Sequence, residues 1–301
     1  MKKRMLAKLG TLVIVGALTM AGCAQDPSKN QTPLPGTIVV GSQDYYSNEI
    51  VAEIYAQALE NGGFYVDRQF RIGQREVYLP EIEAGHIDLF PEYTGPLLQY
   101  WKPDTTARFS QDVYTALKTA TPAGLRVLDQ SAATDQDSYV VTKEFATTWG
   151  LTTISDLAKV TVPMTMGANS EAETRPNGPK GLLEKYGVQV GFTPIEDGGG
   201  PLTVKALTDG TVQLAIIYTA NPSLATSDLV ELKDDKGLFL ASNVVPLASD
   251  NVTDPMAAII NKISATMTPA DLVALNAQSV TDQESASTIA HGWLVKKGLL
   301  K

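Results

Sequence analysis

Short runs rich in β-branched residues alternate with amphipathic stretches through most of this chain. Extended segments are predicted at Ile38–Gly41, 87–90, 125–128, 139–142, 160–166 and 212–218. Helical periodicity is clearest over 48–61, where Ile50, Ile54, Ala58 and Leu59 fall on one face. Asn61-Gly62-Gly63 then supplies residues that tolerate a left-handed backbone at the helix end. Further helices are predicted at Ser110–Ala120, Pro179–Tyr186, Pro201–Thr208, 269–278 and 283–297. Strands alternating with helices of this length predict an α/β fold with helices on both sheet faces. No repeat of fixed period is present.

The N-terminal pattern differs. Lys2, Lys3, Arg4 and Lys8 precede an apolar run over 9–20, and the small residues Ala21 and Gly22 lead into Cys23. Basic, then apolar, then small is the order of a secretory signal, predicted here over 1–22. The apolar run is too short to cross a bilayer, which takes about 20 residues. Cys23, the one cysteine in 301 residues, stands where a bacterial lipoprotein leader is cut and acylated, and it rules out an intrachain disulfide. One acyl chain holds a protein only marginally, so a diacylglycerol on Cys23 is expected to complete the anchor. Residues 23–36 then read as the lipidated cysteine and a polar tether rich in Pro. The expected location is the extracytoplasmic face of the cell membrane, periplasmic where an outer membrane exists.

Loss of the leader changes the charge. Its four cations take Lys+Arg from 24 to 20 against 33 Asp+Glu, a net charge of −13. Such a surface repels nucleic acid and weakly favours cationic ligands. The body that remains, roughly 265 residues, is long enough for two domains.

Catalytic signatures are thin. His86 and His291 are the only histidines, one at a helix-to-strand turn and one on the last predicted helix. No cysteine pair, HExxH, EF-hand loop or GxSxG elbow occurs. Gly198-Gly199-Gly200 precedes a predicted helix, but it lacks the strand and lysine of a P-loop and reads as a loop rather than an anion cradle. No catalytic residue, metal site or cofactor is therefore expected, and a secreted enzyme is the remote alternative.

One segment is specific: Ile87-Asp88-Leu89-Phe90-Pro91-Glu92-Tyr93-Thr94-Gly95 resembles the IDLYPEYTG signature of osmoprotectant-binding proteins. These are the glycine betaine, choline and carnitine binding components of ABC importers. The opening Val40-Gly41-Ser42-Gln43-Asp44, the segment Gln136–Lys143, Ile154-Ser155-Asp156-Leu157 and Leu232–Gly237 follow in that family's order. The resemblance implies a two-lobed periplasmic-binding-protein fold of type II with two crossovers and a hinge. Lobe one would be 37–139 plus 245–301, and lobe two 140–244. It also implies a small-molecule solute, an ABC permease and ATPase as partners, and a monomer on a lipid anchor.

The resemblance further implies a cage of tyrosines at Tyr93, Tyr139 and Tyr218. Asp137 would add charge near an ammonium, Thr94 a hydroxyl, and Arg175 a bidentate grip on a carboxylate. Two positions depart from the pattern. Gln43 replaces an expected lysine, and Ser242 stands where a fourth aromatic is expected. Tyr45, Tyr46 or Phe239 are the aromatics available to compensate. These departures leave open a bulkier or less charged solute, aromatic or polyhydroxylated, in the same fold.

Overall fold

The computed structural model describes residues 36–226 and 228–300. The expected signal peptide, Cys23 and the tether up to residue 35 lie outside the described residues. Within them the chain runs β1 (Ile38–Gly41), α1 (Tyr46–Asn61), β2 (Val66–Gln69), α2 (Arg75–Glu83), β3 (Leu89–Tyr93), α3 (Thr94–Trp101), α4 (Ser110–Ala120) and β4 (Leu125–Val127). It continues through β5 (Asp137–Thr142), α5 (Lys143–Trp149), β6 (Thr165–Ala168), α6 (Pro179–Tyr186), β7 (Gly191–Pro194), α7 (Pro201–Thr208), β8 (Leu214–Tyr218), α8 (Ser223–Thr226) and β9 (Leu229–Glu231). The last part is β10 (Val244–Ser249), α9 (Asp254–Thr266), α10 (Pro269–Val280) and α11 (Ala286–Lys296).

Two five-stranded mixed sheets result, ordered β2-β1-β3-β10-β4 and β7-β6-β8-β5-β9. In the first, β1 is parallel to β2 and β3 while β10 runs antiparallel to β3 and β4. The second repeats that plan, with β6 parallel to β7 and β8 and with β5 antiparallel to β8 and β9. Helices cover both faces of each sheet, as the α/β type II expectation requires. Ile50, Ile54 and Leu59 of α1 pack with Ile260, Leu272 and Trp293 on one face of the first sheet. Tyr78, Leu98 and Val113 pack on the other face. Each such side chain, fully buried, contributes about 1.5–3 kcal/mol.

Helix α1 begins two residues before its predicted start and ends as expected, although only Gly63 (φ 86°) adopts the left-handed conformation. The predicted strand at 160–166 is displaced to Thr165–Ala168, where the backbone first pairs with β7.

The chain crosses between the sheets twice, after β4 and after β9. The two connecting segments run side by side: Thr134 pairs with Asn243, Asp135 N donates to Ser242 O at 3.0 Å, and Val244 N donates to Ala133 O at 3.0 Å. Strand pairing moves the expected boundaries slightly. Tyr139, placed at the end of lobe one, pairs with Ile216 in the second sheet, and Val244, placed in lobe two, pairs with Tyr93 in the first. No helix among the described residues is long and apolar enough to cross a membrane.

Candidate functional site: a cleft between the two sheets

A cavity of about 230 Å³ opens between the sheets, which belong to one compact unit. The first sheet contributes Gln43 and Tyr45 from the β1–α1 loop, Arg75 and Glu76 from the start of α2, and Tyr93 from the end of β3. The second contributes Asp137 from the start of β5, Arg175 from the loop before α6, and Tyr218 from the end of β8. Asp135, on the first connecting segment, lies between them. Strand ends are where open α/β sheets place ligands, because loops there are free of the ladder.

Aromatic rings and carboxyls meet in this cavity. The Tyr45 ring stands edge-on to Tyr218 with centroids 5.0 Å apart, and edge-on to Tyr46 at 4.9 Å. Its hydroxyl donates to Asp135 Oδ2 at 2.7 Å, and Ala220 N donates to Asp135 Oδ1 at 2.9 Å. Burial pushes the Asp135 carboxyl up to about 7, and those two donors hold it from going higher. Burial also raises Asp137, against the pull of Arg175 and Arg75, and Asp137 forms no ion pair among the described residues. The Tyr93 hydroxyl is buried without a hydrogen-bond partner among the described residues.

Both guanidiniums in the cavity are occupied by carboxylates of this chain. Arg75 holds Glu92 through Nε and Nη2 at 2.8 and 2.9 Å, a buried pair that the Tyr78 hydroxyl joins at 2.6 Å. Arg175 reaches across the cleft to Glu76 through Nε and Nη2 at 3.1 and 2.8 Å. One ion pair therefore braces α2 from within, and the other links the two sides.

The glycine run has a different role from the anion cradle considered above. Asp197 Oδ2 accepts the Leu202 and Thr203 amides at 2.6 and 3.2 Å, so the start of α7 already carries a carboxylate. Gly198, with φ 63°, lies flat against Tyr45, where an added Cβ would come 2.7 Å from ring carbon Cδ2.

Of the residues singled out in the sequence, Gln43, Tyr93, Asp137, Arg175 and Tyr218 line the cavity. Tyr139, Thr94 and Ser242 do not. Tyr139 shares a strand face with Asp137 but lies one step further in, fully buried, edge-on to Phe239 at 5.0 Å. Its hydroxyl donates to Asn177 O at 2.8 Å, supporting the cavity loop from behind. Thr94 and Ser242 fasten the connecting segments instead. Thr94 Oγ1 donates to Ala241 O at 3.1 Å and accepts from Asn243 N at 3.0 Å, and Ser242 Oγ donates to Asp135 O at 2.8 Å. Of the three aromatics held in reserve, Tyr45 lines the cavity, while Phe239 and Tyr46 do not. Arg75, Glu76, Asp135 and Tyr100 also line it and carried no motif signal.

The sequence model of a family described as the substrate binding domain of ABC-type glycine betaine transport systems matches residues 36–296. The chain is 24% identical over 307 residues to the glycine betaine-binding protein YehZ of Escherichia coli, covering 97% of each chain. It is 23% identical over 312 residues to the carnitine transport binding protein OpuCC of Listeria monocytogenes, covering 98% of this chain and 97% of that one. Its fold superposes with a TM-score of 0.70 on a crystal structure named for a glycine betaine/carnitine/choline ABC transporter, at 19% identity, over 88% of this chain and 100% of that one. This chain therefore belongs to the family of substrate-binding domains of ABC-type glycine betaine transport systems.

Proposed function

We propose that this protein captures a quaternary-ammonium solute of the glycine betaine or choline type in its inter-sheet cleft and delivers it to an ABC permease and ATPase. The observation that carries the reading is the convergence of Tyr45, Tyr93 and Tyr218 with Asp135 and Asp137 on one cavity. A quaternary ammonium has no proton to donate, so ring faces and nearby negative charge must hold it. Each cation–π contact is worth about 0.5–2 kcal/mol according to its burial. The two sheets with their helices act as lobes that close about the paired connecting segments, and the permease recognises the closed form. Acylated Cys23 tethers the monomer to the extracytoplasmic face.

Calorimetric titration of the purified protein with glycine betaine, choline, carnitine and proline betaine tests this. Micromolar binding of at least one supports the tyrosine cage; no heat with any of them, from folded protein, rules it out. One observation favours the second reading, a bulkier or less charged solute. Gln43 puts a neutral amide in the cavity where the resemblance implies a lysine, and Tyr139 and Ser242 add no ring there.

A further inference from the structure

We infer that Glu76 is a specificity-determining residue: by occupying the fork of Arg175 it tilts this cleft towards quaternary ammonium cations that carry no carboxylate. The inference rests on the binding reading above and narrows its substrate class. A zwitterionic betaine needs a free cation for its carboxylate, and the cavity offers two candidates. Arg75 is spent on Glu92, with both partners buried. Arg175 is spent on Glu76, both of whose carboxylate oxygens are engaged. A betaine carboxylate arriving at Arg175 must displace Glu76 or share the guanidinium with it at close range, and like charges so placed repel. Choline-type ligands meet no such competition.

The charge balance points the same way. Glu76 and Glu92 already match the charges of Arg75 and Arg175, and Asp135 and Asp137 add two more carboxyls, so the cavity holds no spare positive charge for a carboxylate. Glu76 lies in the first turn of α2, where the helix end favours a negative charge. Burial acts to raise its carboxyl, but the Arg175 guanidinium brings it below its ordinary value, so it is ionised at neutral pH. Gln43 cannot supply the missing cation.

The test is calorimetry of the full chain and of Glu76→Gln with choline and with glycine betaine. Glu76 is half-exposed, and the Arg175 left without its carboxylate keeps part of its side chain in solvent and can still donate to the glutamine oxygen. The expected result is tighter binding of choline by the unmodified protein. In Glu76→Gln the choline-to-betaine affinity ratio falls at least about tenfold, the worth of one charge-assisted hydrogen bond. Adding Arg175→Gln to Glu76→Gln removes the gain in betaine affinity. A ratio that Glu76→Gln leaves within about threefold, with both ligands bound, overturns the inference and leaves the binding function standing. Failure of both ligands to bind either protein overturns the binding reading and this inference with it.

Discussion

The Tyr45 hydroxyl donates to Asp135 Oδ2 at 2.7 Å, joining residues 90 positions apart. Tyr45 enters from the first sheet, and Asp135 sits on the segment that leads to the second. The other carboxyl oxygen takes the Ala220 amide just beyond β8. One carboxyl thus ties the β1–α1 loop, a connecting segment and the second sheet together beside the cavity.

That carboxyl sets a pH dependence. Asp135 is raised to about 7 in the folded protein, chiefly by burial, and has an ordinary value of about 4 in the unfolded chain. Between those values the folded state holds a proton that the unfolded state has released. Stability therefore falls as pH rises from about 4 to about 7, and levels off above that, by on the order of a few kcal/mol. Asp135→Asn flattens most of this slope in melting curves recorded from pH 5 to 8, while Asp137, raised in the same direction, leaves a remainder. An unchanged slope in Asp135→Asn assigns the effect to other groups.

Ligand affinity carries the opposite sign. A cation in the cavity favours the ionised form of Asp135, so affinity for choline rises as pH passes upward through about 7. Titrations at pH 5.5, 7 and 8.5 check this, and Asp135→Asn removes most of the dependence, Asp137 leaving the remainder.

Ring loss at Tyr218 tests the cage directly. Tyr218→Ala removes a ring from the cavity wall together with the edge contact that positions Tyr45. Quaternary-ammonium affinity falls about 3- to 30-fold, the range of one cation–π contact. Tyr218→Phe keeps the ring and most of the affinity. Equal loss in both variants attributes the effect to the hydroxyl rather than the ring face.

Local pattern carried α1, α4, α6 and α7, whose buried positions recur at helical spacing or whose first turns start with proline. It did not carry β10, although all six of its residues are buried. Pro246 at its centre reads against an inner strand. It is tolerated because it faces Pro91 of β3, and the two prolines offer carbonyls, to Leu128 N and Asn48 Nδ2, where an amide is not needed. The polar edge strand β2, Val-Asp-Arg-Gln, shows itself only through its pairing with β1. At the site, Tyr93 and Tyr218 were legible through the resemblance, and each ends a strand in the fold. The Tyr45–Asp135 and Arg75–Glu92 pairs join distant segments, and no local spacing encodes them. Asp137 and Tyr139 share one face of β5, but a period of two says nothing about depth.

Depth makes Tyr139 a support rather than a contact. Tyr139→Phe keeps the packing on Phe239 and removes the hydroxyl that donates to Asn177 O at 2.8 Å and, more weakly, to Gly178 O at 3.4 Å. Stability falls by about 1 kcal/mol, with ligand affinity changed less than about threefold, since one tenfold step takes 1.4 kcal/mol. A loss of affinity as large as that of Tyr218→Ala would return Tyr139 to the cavity wall.

Gly198→Ala probes the seat of Tyr45 from the opposite side of the cleft. Two costs arise there. The left-handed backbone, φ 63°, penalises any Cβ by about 1–2 kcal/mol. The new methyl would also stand 2.7 Å from Tyr45 Cδ2, so the ring must turn from Asp135 or the sheets must part. Gly210→Ala separates the two costs, because Gly210 has φ 75° and a methyl added there meets nothing within 4 Å. Gly210→Ala loses about 1–2 kcal/mol in denaturant unfolding, and Gly198→Ala loses more than that because of the clash. Only Gly198→Ala weakens solute binding, by about tenfold for a contact worth 1.4 kcal/mol. Wild-type affinity in Gly198→Ala would mean that the closed cleft does not depend on this glycine, and that Asp135 alone holds the ring in place.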